Sequence, residues 1–472
     1  MACVKFVTVL LACEAFLGWT QTTVSGAPGG KRVQLVAMPP NVGRRRKLNW
    51  ALIAWENNTV NSELVARRVN TRKEVVRDFL GGFADLEFKY GSPKLACRLD
   101  KSQTRIICLG RHKITTPLFG GCCADSFFIY YKDGRDPQIV EVIETVRDEL
   151  AKDDLSDIES RTVQITHSLS IDSEDSQGGF SAVVTIHYNS TALNGLSYGV
   201  VRIGLEAVAG RITDVGILPT AASKRAFLAL RDIGTVSDDP ADSIFRVQFV
   251  RGPAAGLAAG PVNGALRFVD MTGTPLLAIT QKQELELIVL TDPWERESVD
   301  ILQRFGTPPV LDAQTAEVLS YHAFGLDPSR EGVLFGGIHN VWHTVYQNVE
   351  TLTIFNNKAD SGFARVYEIE LKLAPREIGA QPTDAVFATP YRRVDLDYSP
   401  RSQGGARPIG IGLYVVSSGS RSEFVGLKVA DSRGNIVTVE YSGTDAFNDG
   451  IYDPFVFIDV PDSEAADILK YG

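Results

Sequence analysis

The segment Gly195-Leu196-Ser197-Tyr198-Gly199 has the G-x-S-x-G spacing of serine hydrolases. That chemistry needs a tight strand-to-helix turn that lifts the serine hydroxyl out of a sheet, with the two glycines removing side-chain clashes. The neighbouring pattern argues against such a turn. A strand-like run ends near Tyr188, and Val200-Val201-Arg202-Ile203 reads as another strand. Asp270, Asp292 or Asp312, with His322, His339 or His343, are the available partners, and no spacing singles one out. A hairpin turn is therefore the expected state of this segment, with a hydrolase using Ser197 as the alternative.

His339 and His343 stand four apart, so on a helix they would face one way and could share a metal. The intervening Asn340-Val341-Trp342 lacks the glutamate that a zinc protease uses as its base. Gly336-Gly337 before the pair and the β-branched residues after it favour a strand and structural roles. His167 and His187 become cross-strand neighbours if their strands form a hairpin centred near Gln177, which would allow a metal pair or a pH-sensitive contact. Two loops carry enough oxygen ligands to attract calcium: Asp172, Glu174 and Asp175, and Asp445, Asn448, Asp449 and Asp453 around Gly450. Neither follows the EF-hand spacing, so ordinary turns are expected at both, and no cofactor is expected apart from calcium at the second loop. Gly410-Ile411-Gly412 lacks the third glycine and the following helix of a dinucleotide site.

Four cysteines, Cys97, Cys108, Cys122 and Cys123, cluster in the first third of the chain. Cys97 and Cys108 bracket an expected hairpin that turns about Ser102-Gln103, which would set the two residues opposite each other. In an oxidising compartment four cysteines form two disulfides by any of three connectivities. Cys122 and Cys123 do not readily bridge each other, because a vicinal disulfide strains the peptide between them; each is expected to reach the hairpin or a separate partner. A zinc site would need better spacing and more histidine than His112 alone.

The compartment follows from the first residues. Lys5 starts a short basic stretch, residues 6–19 are an apolar run broken by Glu14, and small residues follow around Val24-Ser25-Gly26-Ala27. That is the layout of a secretory signal peptide over residues 1–27. Leu10-Leu11-Ala12-Cys13 offers a lipoprotein signal as the rival. No later segment approaches the roughly 20 apolar residues of a spanning helix. Asn57-Asn58-Thr59 and Asn189-Ser190-Thr191 are glycosylation acceptors on such a route, at Asn57 and Asn189.

Those residues need elements to position them. The chain has 472 residues, 44% hydrophobic and 22% charged, so it is globular and long enough for several domains. A net charge of −9 gives no general attraction to nucleic acid or anionic membrane. The early region is basic, with Arg44-Arg45-Arg46-Lys47 as an arm or a processing site, while 133–175 is acidic.

Helical spacing predicts one helix after Asn61 through Leu80 and a second after Asp136, with Ile139, Ile143, Val146 and Leu150 as its stripe. Shorter helices are expected at 221–233, 295–305 and 313–324. From Arg161 the period falls to two, which predicts strands at 164–171, 182–188, 200–206, 245–250 and 285–290. Tyr367, Ile369 and Leu371 alternate with Glu368, Glu370 and Lys372, as in a sheet with one wet face. Four further strands after Pro390 suggest a small β-sandwich.

The expected fold is α+β and β-rich. A mixed domain over 28–160 holds the cysteine cluster, a β-rich middle domain with short helices covers 161–375, and an antiparallel β-sandwich covers 376–472. The expected function is that of a secreted, non-enzymatic structural or binding protein that meets protein or glycan surfaces through its sheets. A shell-forming protein that self-associates is a further alternative.

Overall fold

Apolar strand runs pair into antiparallel meanders in the computed structural model. It describes residues 30–38, 49–57, 62–69, 75–78, 96–99, 105–113, 123–131, 138–152, 164–174, 179–190, 195–206, 211–218, 262–281, 285–295, 301–307, 309–311, 318–321, 325–326, 337–357, 362–372, 386–387, 390–400, 404–410, 412–417, 426–434 and 436–440. The chain divides into two units, one of Met1–Pro93 with Val394–Gly472 and one of Lys94–Arg393.

In the first unit, β1 (Gly30–Met38), β2 (Asn49–Asn57), β3 (Ser62–Val69) and β4 (Val75–Asp78) form one sheet in chain order. The helix expected after Asn61 is corrected here: that segment is the strand pair β3–β4. Apolar residues at 64, 65 and 69 fit either period over so short a run. Pairing with β2 decides between them, setting Leu64 opposite Trp55 and Val65 opposite Ala54. A second sheet runs β24 (Ala406–Gly410), β25 (Leu413–Ser417), β26 (Gly426–Asp431) and β27 (Ile436–Glu440), all antiparallel. The buried Tyr398 hydroxyl donates to the Ser417 carbonyl at 2.6 Å beside this sheet.

The second unit repeats the same theme. Its first sheet is β5 (Ala96–Leu99), β6 (Arg105–Lys113), β7 (Cys123–Tyr131) and β8 (Gln138–Glu141). The helix expected behind Asp136 begins later, as α1 (Ile143–Ala151), without a side-chain cap. Its buried stripe is Ile143, Val146 and Leu150, while Ile139 belongs to β8 and is exposed. The next sheet is β9 (Gln164–Glu174), β10 (Phe180–Ser190), β11 (Gly195–Glu206) and β12 (Arg211–Leu218).

The third sheet is β13 (Val262–Val269), β14 (Pro275–Gln281), β15 (Glu286–Thr291) and β16 (Ile301–Gly306). A short hairpin, β17 (Pro309–Leu311) and β18 (Val318–Tyr321), follows. The fourth large sheet is β19 (Ile338–Tyr346), β20 (Val349–Asn356), β21 (Arg365–Glu370) and β23 (Pro390–Asp395). Between its last two strands, β22 (Val386–Phe387) leaves to pair in parallel with β16. Two expected helices are therefore strands: 295–305 contains β16 and 313–324 contains β18. Every residue of β15 is buried, and its free edge takes the ladder hydrogen bonds of β16, which helix formation would deny it. The expected helix at 221–233 and strand at 245–250 lie outside the described residues.

Four-stranded antiparallel meanders in succession are the units from which β-propeller blades are made. Within the second unit, β9 lies against β5 and β13, and β13 lies against β19, so the first strands of consecutive sheets are neighbours. Gly264 marks one close approach, since an added Cβ would meet the Asn340 Cα at 2.9 Å. A shared core fills the space between the third and fourth sheets. Phe268, Leu276, Leu287, Val289 and Phe305 meet Ile338, Leu352, Ile354, Tyr367 and Ile369 there. The alternation in β21 is present, and its second face is wet only towards its end: Glu368 is 5% exposed, while the side chains of Glu370 and Lys372 are 31% and 67% exposed. At Glu368 the expectation is corrected, because that carboxylate pairs internally. Thr351 donates to Glu368 at 3.0 Å and Arg392 donates to it at 2.8 Å.

Candidate functional site

The hairpin from β19 to β20 turns through Gln347 and Asn348, both at positive φ (46° and 64°). That is the two-residue type I′ geometry whose twist matches paired strands. It sets Val345 opposite Glu350 and His343 opposite Leu352. His343 and Glu350 are thus diagonal neighbours on one face, within reach of long side chains. Their contact is His343 Nε2 to Glu350 Oε1 at 2.6 Å. A carboxylate only accepts, so the ring nitrogen donates.

The second oxygen of Glu350 reaches the adjacent sheet, where it accepts from the Met271 backbone N–H at 3.3 Å. Met271 lies in the turn between β13 and β14. Asp270 organises that turn, because its Oδ1 accepts from the backbone N–H groups of Thr272 (2.9 Å) and Thr274 (2.7 Å) and from the Thr272 hydroxyl (2.7 Å). The Phe268 ring lies 4.3 Å from the His343 ring, centroid to centroid. Burial pushes His343 below the ordinary histidine value, against the pull of the Glu350 hydrogen bond and of the Glu350 and Asp270 charges. Exposed aliphatic residues border this polar group: Met271, whose N–H it holds, and Val345, opposite Glu350, are each about half exposed.

Arg267 reaches Asp292 at 2.5 Å and also pairs with Glu295. Arg304 pairs with Glu286, both only 1% exposed. Both arginines are buried and pair with carboxylates, of which Asp292 and Glu286 are buried and Glu295 is exposed.

Ser197 is within β11, directly opposite Tyr188, and Gly195–Gly199 is regular strand. The strand-to-helix elbow is not formed there, nor is the expected turn, because pairing with β10 continues to Gly195 opposite Ser190. His339 and His343 lie on a strand, not a helix. A bulge at Asn340 (φ 52°) inserts one residue, so Ile338 and Val341 both enter the shared core although three apart. His343 shares the Val341 face, while His339, next to Ile338, belongs to the other. The two histidines therefore do not form a metal pair.

His187 pairs with Gln164, not with His167. Bulges in the β9–β10 ladder displace the register from a centre at Gln177. Among the described residues, no group of three or more His, Cys, Asp or Glu side chains is placed to hold a metal ion.

Cys97 stands opposite Cys108, as the hairpin reading expects. Cys123 stands opposite Lys113, five residues along β6 from Cys108, or about 17 Å at strand rise. That exceeds the Cα separation of a disulfide, roughly 7 Å at most, so Cys123 does not reach the hairpin pair. Asn57 is the last residue of β2, and Asn189 stands opposite Leu196. Cys122, Asp445, Asn448, Asp449, Asp453 and the expected signal peptide lie outside the described residues.

Sequence reasoning missed Glu350 and the turn at Asp270. The first was readable only by taking Gln347-Asn348 as a two-residue turn. The second comes from another sheet, and no local spacing announces it.

No known family model matches the chain, and no curated protein matches it. Several solved structures share part of its course. Trypanosoma rangeli sialidase, in complex with the inhibitor DANA, aligns at a TM-score of 0.37 and 8% identity, covering 76% of this chain and 50% of that one. The chain thus spans about half the length of that sialidase. An endo-arabinanase from Bacillus licheniformis aligns at 0.31 and 11% identity, covering 77% and 99%. Aleuria aurantia lectin with α-methyl-L-fucoside aligns at 0.35 and 9%, covering 88% and 97%.

Proposed function

We propose that the protein is a secreted, non-enzymatic binding protein that meets a protein partner through the ends of its sheets. One observation carries this reading. The Glu350 bridge brings the exposed side chains of Met271 and Val345, from two neighbouring sheets, to one rim. Exposed aliphatic groups beside anchored polar ones suit a partner surface, and Met adapts its shape to the surface it meets. The apolar run of residues 6–19, followed by small residues at 24–27, supports export. Among the described residues, no helix is long and apolar enough to cross a membrane.

A glycan partner is the second reading, favoured by the exposed rings of Phe363 and Tyr391. Arg392 lies over the Tyr391 ring, 4.3 Å from its centroid.

The test is saturable binding of the purified, labelled protein to cell surfaces, before and after enzymatic removal of surface glycans. Wild type binds in both cases, and the double substitution Met271→Lys with Val345→Lys weakens binding at least about tenfold, the equivalent of roughly 1.4 kcal/mol. Binding lost with the glycans selects the second reading. Full binding by the double variant places the site elsewhere, and no saturable binding at all overturns the proposal.

A further inference from the structure

We propose that the His343–Glu350–Met271 bridge is a latch between two neighbouring sheets, and that acid releases it. The geometry is that of a clasp. Glu350 sits on β20 and holds two groups at once, the His343 ring of its own sheet at 2.6 Å and the Met271 N–H of the next sheet at 3.3 Å. His343 in turn stacks on Phe268, the β13 residue that leads into the same turn. The β13–β14 hairpin is therefore fastened to β19–β20 at its tip by one backbone hydrogen bond and one ring contact, and both depend on how His343 and Glu350 are arranged.

The charged groups that face His343 are few. Among the described residues, Glu350 comes from β20 and Asp270 from the β13–β14 turn. The β13 neighbour is Phe268, and the core residues of β14, Leu276 and Ala278, are apolar. Asp270 is already engaged with the amides of its own turn.

The sign follows from burial. The folded protein holds the His343 proton less tightly than an ordinary histidine near 6.5, because desolvation outweighs the two carboxylates. The closed latch accordingly keeps a neutral ring, whose single proton lies on Nε2 and is donated to Glu350. A ring swung into water takes up its second proton at the ordinary value. Acidification through that value adds a proton to the open form before the closed one, so it shifts the balance towards opening. Above it protonation no longer favours the open form, and the latch is at its most closed. Each pH unit of proton uptake confined to the open form multiplies its population by up to about tenfold.

The proposal does not depend on the partner, and its test uses no ligand. Amide exchange is measured on the full chain at about pH 7.5 and about pH 5.5, corrected for intrinsic rates. Protection of Met271, Thr272 and Thr274 falls by several-fold at the lower pH, while the β10 amides are unchanged. In His343→Gln the side chain still donates to Glu350 but does not titrate, and the pH response disappears. If that variant does not fold, the wild-type ring titration read by NMR serves instead, with His343 titrating below 6.5 as the supporting result. Protection that is independent of pH, protection that rises in acid, an unchanged acid response in His343→Gln, or a ring titrating above 6.5 each overturns the latch.

Discussion

Two buried side chains show how this fold handles charge. Arg304 and Glu286 are each 1% exposed and pair diagonally across the β15–β16 ladder, where Arg304 stands opposite Ile288 and Glu286 opposite Gly306. Removing one partner leaves a desolvated charge, which costs about 3–5 kcal/mol, whereas replacing both with apolar groups of similar volume is often neutral or stabilising. Glu286→Leu alone and Arg304→Met alone are therefore expected to lose about that much in urea unfolding. The double substitution is expected to recover most of it. A double variant as unstable as the two losses combined would mean that other neighbours, rather than this pair, make the site. Neither partner was legible beforehand. Glu286 sits in a run whose other residues, Leu287 to Leu290, are apolar, and nothing in residues 295–305 announces a strand with an inward arginine.

Elements were legible where period and composition agreed. The runs of β9, β10 and β15 are expected close to where they form, because their apolar side chains follow the strand period, whereas β11 begins five residues before the run expected at 200–206, across glycines that suggest a turn. The stripe of α1 was legible from 3.6-residue spacing, but its start was not: Asp136 and Pro137 resemble a cap, yet β8 takes the next residues into the sheet. The strands β3, β16 and β18 also fit a helical period, because short apolar runs fit both periods and only the partner strand decides.

Bulges set the limit for the candidate site. The extra residue at Asn340 separates two histidines that four-residue spacing had placed together, and those in the β9–β10 ladder separate His167 from His187. A hairpin without such an insertion behaves as expected, so Cys97 meets Cys108. We expect non-reducing peptide mapping of the protein purified under oxidising conditions to join these two and to find Cys123 joined to neither. Reducing a cross-strand bridge of this loop length is expected to cost about 2–3 kcal/mol. A Cys97–Cys123 or Cys108–Cys123 peptide would show that the β5–β6–β7 register is wrong.

At the largest scale, successive meanders leave no repeat in the sequence because each sheet needs only a pattern of burial, which many residues satisfy. Burial in the second unit is shared between sheets. The core that unites β13–β16 with β19–β21 is a single cluster, so neither sheet's inner face is dry without the other. In an array whose members touch only their neighbours, stability is close to a sum of each member's own terms and the interfaces between them. A cavity at one interface should then weaken both sheets that line it and spare those beyond.

Ile354 is fully buried in that cluster, opposite Val341 and Tyr367. Ile354→Ala is expected to cost about 2–5 kcal/mol. Amide exchange should report the loss together in β14–β15 and β20–β21. The sheet β5–β8 touches β9 rather than β13, so its amides should keep their protection. Loss confined to β19–β21 would show that the shared core does not couple the two sheets. Loss spread evenly to β5–β8 would show one cooperative block, in which no sheet opens without the rest.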